Sequence, residues 1–113
     1  MPSIDEHFMG KAEGLRALYD RLVALAEELG PVEQDPKKTS IHLNRKTAFA
    51  GVAVRKGHLV LTVKSDRPID SSRIVKSEQT SAKRFHHEVK LSKGRDLDAE
   101  LRGWLKAAYE LSA

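Results

Sequence analysis

The side chains with the widest chemical repertoire in this chain are a His86-His87-Glu88 run, Lys90 just after it, and His42 well upstream. Imidazole and carboxylate together can hold a divalent metal, and three such ligands leave a position open for water. If this stretch is a strand, His86 and Glu88 share one face, and His42 on another strand can join them. The spacing matches none of the usual zinc patterns, and the chain has no cysteine, so we expect neither a metal site nor a cofactor here. His87 has the opposite parity and is expected as a hydrogen-bonded histidine on the core side.

A second pattern resembles a metal-dependent nuclease. Pro68-Ile69-Asp70 precedes Glu88-Val89-Lys90, and in such enzymes an acid on a neighbouring strand holds the metal while lysine positions the water. Here Asp70 falls in a loop, and acid-x-Lys triplets arise often by chance. Phosphate loops, nucleophile elbows and dinucleotide fingerprints are absent. No residue is therefore assigned a catalytic role.

The same residues suit a plainer task. Ser40, His42, Asn44, Lys64, His86 and Lys90 all take the polar parity of their strands. A face displaying hydroxyl, imidazole and ammonium groups suits a bound phosphate or carboxylate. These six are the candidate anion-binding residues, and the implied partner is an anionic ligand, nucleic acid included. Nucleic-acid binding is weakened on two counts. Sheet-surface readers stack bases on exposed aromatics, and Phe49 is the sole candidate. The helices are also acidic where a recognition helix would be basic.

The elements that must position these groups follow from periodicity. Leu15, Leu18, Leu22, Leu25, Ala26 and Leu29 recur at helical spacing and predict a helix over residues 12–29, stopped by Gly30-Pro31. Ser3 and Glu6 form a capping-box pattern for a short turn before it. Period-two alternation then predicts an antiparallel sheet within residues 38–91. Its strands are the stretch ending in IHLN, the small apolar run AFAGVAV read as a more fully buried strand, LVLTVK, a weaker strand at 73–79, and RFHHEVKL. Lys56-Gly57 reads as a hairpin turn with glycine at positive φ. Leu97, Leu101, Trp104, Leu105, Ala108 and Leu111 predict a closing helix over 96–111, capped by Asp96 or Asp98. The fold class is α+β: a meander of four to five strands, flanked on one face by an N-terminal and a C-terminal helix, in a single domain over 1–113.

Charge is uneven along the chain. Residues 1–36 carry 3 Lys+Arg against 8 Asp+Glu, residues 37–95 carry 15 against 4, and residues 96–113 carry 2 against 4. A basic sheet between acidic helices implies an anionic partner or mutual neutralisation. No apolar run approaches the roughly 20 residues of a membrane span, and the N-terminus has no signal-like apolar region. The expectation is a cytoplasmic monomer or homodimer without membrane contact.

LYDRLVALAEELGPVE, KTSIHL, FAGVAV, FHHEVKL and LDAELRGWLKAAYEL, in this order and spacing, resemble a bacterial family of small proteins, the domain-of-unknown-function family numbered fifty-six fifty-five. The likeness covers nearly the whole chain. It implies a stand-alone cytoplasmic domain with this helix–sheet–helix layout, and it supplies no activity and no catalytic residue. The residues therefore point to a non-enzymatic binding or interaction module with a basic, polar sheet face. The alternative is a small metal-dependent hydrolase or nuclease using the His86/Glu88/Lys90 region.

Overall fold

The computed structural model describes residues 2–113. Its elements run α1 (Ile4–Phe8), α2 (Leu15–Glu27), β1 (Glu33–Pro36), β2 (Ile41–Asn44), β3 (Ala48–Val54), β4 (Leu59–Ser65), β5 (Ile74–Ser81), β6 (Arg84–Leu91) and α3 (Ala99–Leu111). A single 3-10 turn, Gly94–Asp96, precedes α3. Ser3 caps α1 as its spacing predicts, accepting from the Glu6 N–H. Asp98, not Asp96, caps α3 by accepting from the Leu101 N–H at 3.0 Å. Asp96 instead folds back on the end of β6, where it accepts from the N–H groups of Ser92 and Lys93.

The expected α+β class holds: one antiparallel sheet with an N-terminal and a C-terminal helix. Its strand number and order differ from the expected meander. Six strands lie in the order β1-β2-β3-β4-β6-β5. β1 is additional, and β4 pairs with β6 instead of with β5. Competition for the interior explains the exchange. β6 brings Val89 and Leu91, both fully buried, whereas every residue of β5 after Ile74 is exposed. The apolar strand takes the place beside β4, and the polar one is left at the edge.

This order makes β4 and β5 parallel, with β6 between them. The connection at 66–73 must therefore run back across β6 on the helix side. It closes over His87, which is why a histidine is tolerated at a core position. The His87 Nε2–H donates to the Arg67 carbonyl at 3.1 Å, and Nδ1 accepts from the Ser77 hydroxyl at 2.8 Å. The Phe85 ring stacks against the imidazole.

Leu18, Leu22, Ile41, Leu61, Val89, Leu101 and Leu105 share one buried cluster, as their spacing predicts. Leu25 and Trp104 pack only against its margin. Gly30 takes a φ of 147°, and a Cβ there would collide with the Tyr109 hydroxyl, which donates to the Pro31 carbonyl. The β3–β4 hairpin closes through the Arg55 N–H to the His58 carbonyl. Gly57 is not at positive φ, so its turn is one that any residue can make.

Candidate functional site

Both helices and the 66–73 connection lie on one side of the sheet, so the other side is open. Its character is set by β3. Pairing of β2 with β3 shifts register between Leu43 and Asn44. Such a bulge opposes two residues to one, and here it sends Phe49 and Ala50 both to the core side. Phe49 is fully buried, its ring edge-on to Tyr109 at 5.2 Å. The one aromatic proposed for the open face is thus absent from it. β3 presents only Ala48, Gly51 and Ala53 there, each half-buried. The AFAGVAV strand is buried on one side, and its small residues on the other make a floor.

Larger side chains on the flanking strands turn that floor into a trough of about 240 Å³, lined by Ser40, His42, Thr62, Lys64 and His86. The walls on β2 and β4 stand two strand spacings apart, roughly 9.5 Å. The His42 side chain stands beside Gly51: a Cβ added to that glycine would sit 3.9 Å from its Cδ2.

Cations close both ends. At one end Lys64 and His86 are cross-strand partners. The Lys64 ammonium donates to the Ser112 hydroxyl at 2.7 Å and to the Thr47 hydroxyl at 3.3 Å. Burial, and then the nearby Arg84, push its pKa below the ordinary lysine value. An ammonium has three protons to donate, so one is uncommitted among the described residues. At the other end the Arg55–His58 turn abuts Lys90, which pairs with Val60. Burial, followed by the charges of Lys90 and Arg55, holds the His58 pKa below the usual histidine value. Along β4, His58 and Lys64 are six residues apart, roughly 20 Å.

The six expected residues therefore divide. Ser40, His42, Lys64 and His86 line the trough. Lys90 stands beyond its far end. Asn44 is drawn away by the unforeseen β1, its amide donating to the Glu33 carboxylate at 3.1 Å. Sequence reasoning missed Arg55 and His58, because a turn was seen only as a turn. The signal for the floor was present: every open-face residue of β3 is alanine or glycine.

The basic middle segment does not gather on one surface. Arg45 stacks over Tyr109 and donates to its carbonyl, and Arg73 reaches Asp98 and Glu100 at 2.7 and 3.3 Å with its guanidinium over Trp104. Arg73 thus offsets acids of the helix layer, and Arg45 is held against α3 through Tyr109. The open face itself carries Glu88 between Thr62 and Lys76.

The residues of the hydrolase reading do not converge. His42 and His86 lie on β2 and β6, three strand spacings or roughly 14 Å apart. Glu88 lies outside the trough lining. Asp70 is exposed in the 66–73 connection. Among the described residues no three His, Asp or Glu side chains are grouped to hold a metal. No helix among them is long and apolar enough to cross a membrane.

A protein-family model described as Domain of unknown function (DUF5655) matches residues 4–112. Neither the curated proteins nor the solved structures contain a match to the chain.

Proposed function

Because the chain belongs to the DUF5655 family, whose description names no activity, its function is argued from its own surface: we propose that the open sheet face is a non-enzymatic binding surface for an elongated anionic ligand laid along β3. The observation that carries this reading is the trough, floored by Ala48, Gly51 and Ala53, with Lys64 and His86 at one end and Lys90, His58 and Arg55 beyond the other. Ordinary solvated sheet faces have long side chains on every strand. Small residues restricted to the central strand leave room for a bound chain, and cations roughly 20 Å apart match two anionic groups on it.

A phosphate-bearing chain fits best. Phosphates recur along it, so both cationic ends are engaged at once and each engagement releases counterion. With Phe49 buried, bases have no ring to stack on, so affinity for a nucleic acid would come from its backbone and be largely indifferent to sequence. His86 and Lys90 flank the acidic Glu88 in a row along β6 at roughly 7 Å intervals, without the convergence that hydrolysis requires.

The test is a fluorescence titration of single-stranded DNA, duplex DNA, RNA and inorganic polyphosphate at low and moderate salt. Binding should weaken steeply as salt rises. The Lys64→Gln/Lys90→Gln double variant should weaken it further and flatten the salt slope by roughly two phosphate contacts. Failure of all four ligands at low salt would remove polyanions as the ligand class. Binding indifferent to both lysines would move the site to another surface. Acidity gives an independent check. An anion beside His58 offsets the positive neighbours that depress its pKa. Binding should therefore take up a proton and tighten as pH falls through the histidine range, and His58→Gln should reduce that dependence.

A further inference from the structure

The two edges of the sheet are unlike. β1 has four residues, includes Pro36 and exposes Glu33. Proline cannot donate to a new ladder. A symmetric copy centred on Gln34 would set Glu33 against Asp35. That edge is closed to its own kind. β5 is eight residues long, exposed from Val75 onward, and has no strand on its outer side. Val75, at 61% exposure, is one of two large hydrophobics left in solvent among the described residues. Bulges, a common protection of edges, interrupt β5 between Ile74 and Lys76 and between Gln79 and Ser81. They leave residues 76–79 as regular strand between them.

We infer that two copies of this chain pair antiparallel through β5, about a two-fold axis at Ser77. Facing residues in an antiparallel pair point to the same side of the sheet, and side chains alternate along each strand. A symmetric pair must therefore centre on a residue, not between two. Centring on Lys76 or on Glu78 places like charges opposite each other, which is unfavourable. Centring on Gln79 carries the pairing into the Thr80 bulge. Centring on Ser77 places Lys76 opposite Glu78 of the partner subunit, and by symmetry Glu78 opposite the partner's Lys76. The same register covers Val75 with the partner's Gln79. Lys76 and Glu78 both lie on the open side, opposite Glu88 and His86 of β6, so the new pairs form on that surface. The two sheets become one of twelve strands, with both troughs on the same side.

Sedimentation equilibrium of the full chain should give twice the 12.6 kDa chain mass at high concentration, dissociating on dilution. Lys76→Glu sets acid against Glu78 and should return the monomer mass, as should Glu78→Lys. The double exchange Lys76→Glu/Glu78→Lys restores opposite charges and should restore the dimer. Circular dichroism of each variant separates lost pairing from lost folding. The chain has no cysteine, so cross-linking reads the register directly. Ser77→Cys places two thiols opposite each other, within disulfide reach, and should oxidise to a covalent dimer. Gln79→Cys places them four residues apart along the ladder, roughly 13 Å, and should not. A monomer at all concentrations would overturn the inference. A dimer insensitive to both single charge changes, or cross-linked equally by Cys at 77 and at 79, would overturn it too.

Discussion

The two sides of the sheet come from the same strands, residue by residue in alternation, yet obey different constraints. On the helix side Ile41, Leu43, Val52, Leu59, Leu61, Val63, Val89 and Leu91 are almost entirely shielded, and their shapes must fit Leu22, Leu101 and Leu105 above them. On the open side the intervening positions hold Ser40, His42, Gly51, Thr62, Lys64, Glu88 and Lys90, which are half-buried or exposed and have no layer of helices above them. Stability is concentrated in the first set, so the second is free to be chosen for contact with something else. The lesson is that a strand's chemistry should be judged face by face. The AFAGVAV run looks like one apolar segment, but its Phe49, Ala50, Val52 and Val54 serve the core while Ala48, Gly51 and Ala53 serve the trough.

The strongest way to break this contrast is on the helix side. Leu22 is fully buried at the centre of the cluster, and Leu22→Ala should cost about 2–5 kcal/mol through lost burial and the cavity left behind. Urea unfolding would measure it as a lower midpoint at unchanged slope. A loss no greater than that of an open-face substitution would mean that the two sides do not differ as described.

His87 gives a smaller and more particular effect. It is polar on the apolar side, and it is kept there by two hydrogen bonds. His87→Leu preserves bulk but removes one of the two donors to the Arg67 carbonyl, the Ser65 hydroxyl being the other, and leaves the Ser77 hydroxyl without its acceptor, for a cost of about 1–3 kcal/mol. The 66–73 connection should loosen locally, seen as faster amide exchange there than in β3. Unchanged exchange in that connection would show that His87 does not pin it.

How far these features were legible depends on the interaction concerned. Helices α2 and α3 follow from leucine spacing, because periodicity reports which side of an element is buried. It does not report which strand lies next to which, so the β4–β6 pairing was invisible until the burial of β5 and β6 could be compared. β1 carries no apolar alternation in Glu33-Gln34-Asp35-Pro36. It is held by pairing with β2 and by the Tyr19 hydroxyl donating to Gln34 at 2.7 Å, both long-range. Missing β1 meant missing the loss of Asn44 to Glu33. Parity placed Ser40, His42, Lys64 and His86 correctly on the open side, but which of them share a trough depended on the bulge that removes Phe49.

Acid should erode the helix side in a predictable way. The Leu101 N–H, and then Arg73, hold the Asp98 carboxyl below the ordinary aspartate range. A depressed carboxylate contributes stability that is present above its unfolded value and is lost as pH falls through the folded one. Stability should thus decline below about pH 4, and Asp98→Asn should flatten that decline while leaving neutral-pH ligand titrations untouched. A pH profile identical for the two proteins would remove the cap and its ion pair from the account.

The smallest change in stability should come with a large change in binding, and it is the sharpest test of the contrast. Gly51 sits mid-strand, where glycine is ordinarily a liability: it loses more backbone freedom on folding than other residues and offers no side chain to pack. Nothing in its backbone demands glycine, since its φ is not positive and an added Cβ would meet only the edge of the His42 ring at ordinary contact distance. Gly51→Val should therefore be neutral or stabilising, by up to about 1 kcal/mol. The same isopropyl group would fill the floor of the trough between His42 and Thr62, where a bound chain must lie. Stability and binding should move in opposite directions, an outcome that a merely structural role for this position does not produce. Parallel urea and polyphosphate titrations of Gly51→Val would read both. If binding survives intact, the ligand does not lie on β3, and the small residues of that strand answer to some other constraint.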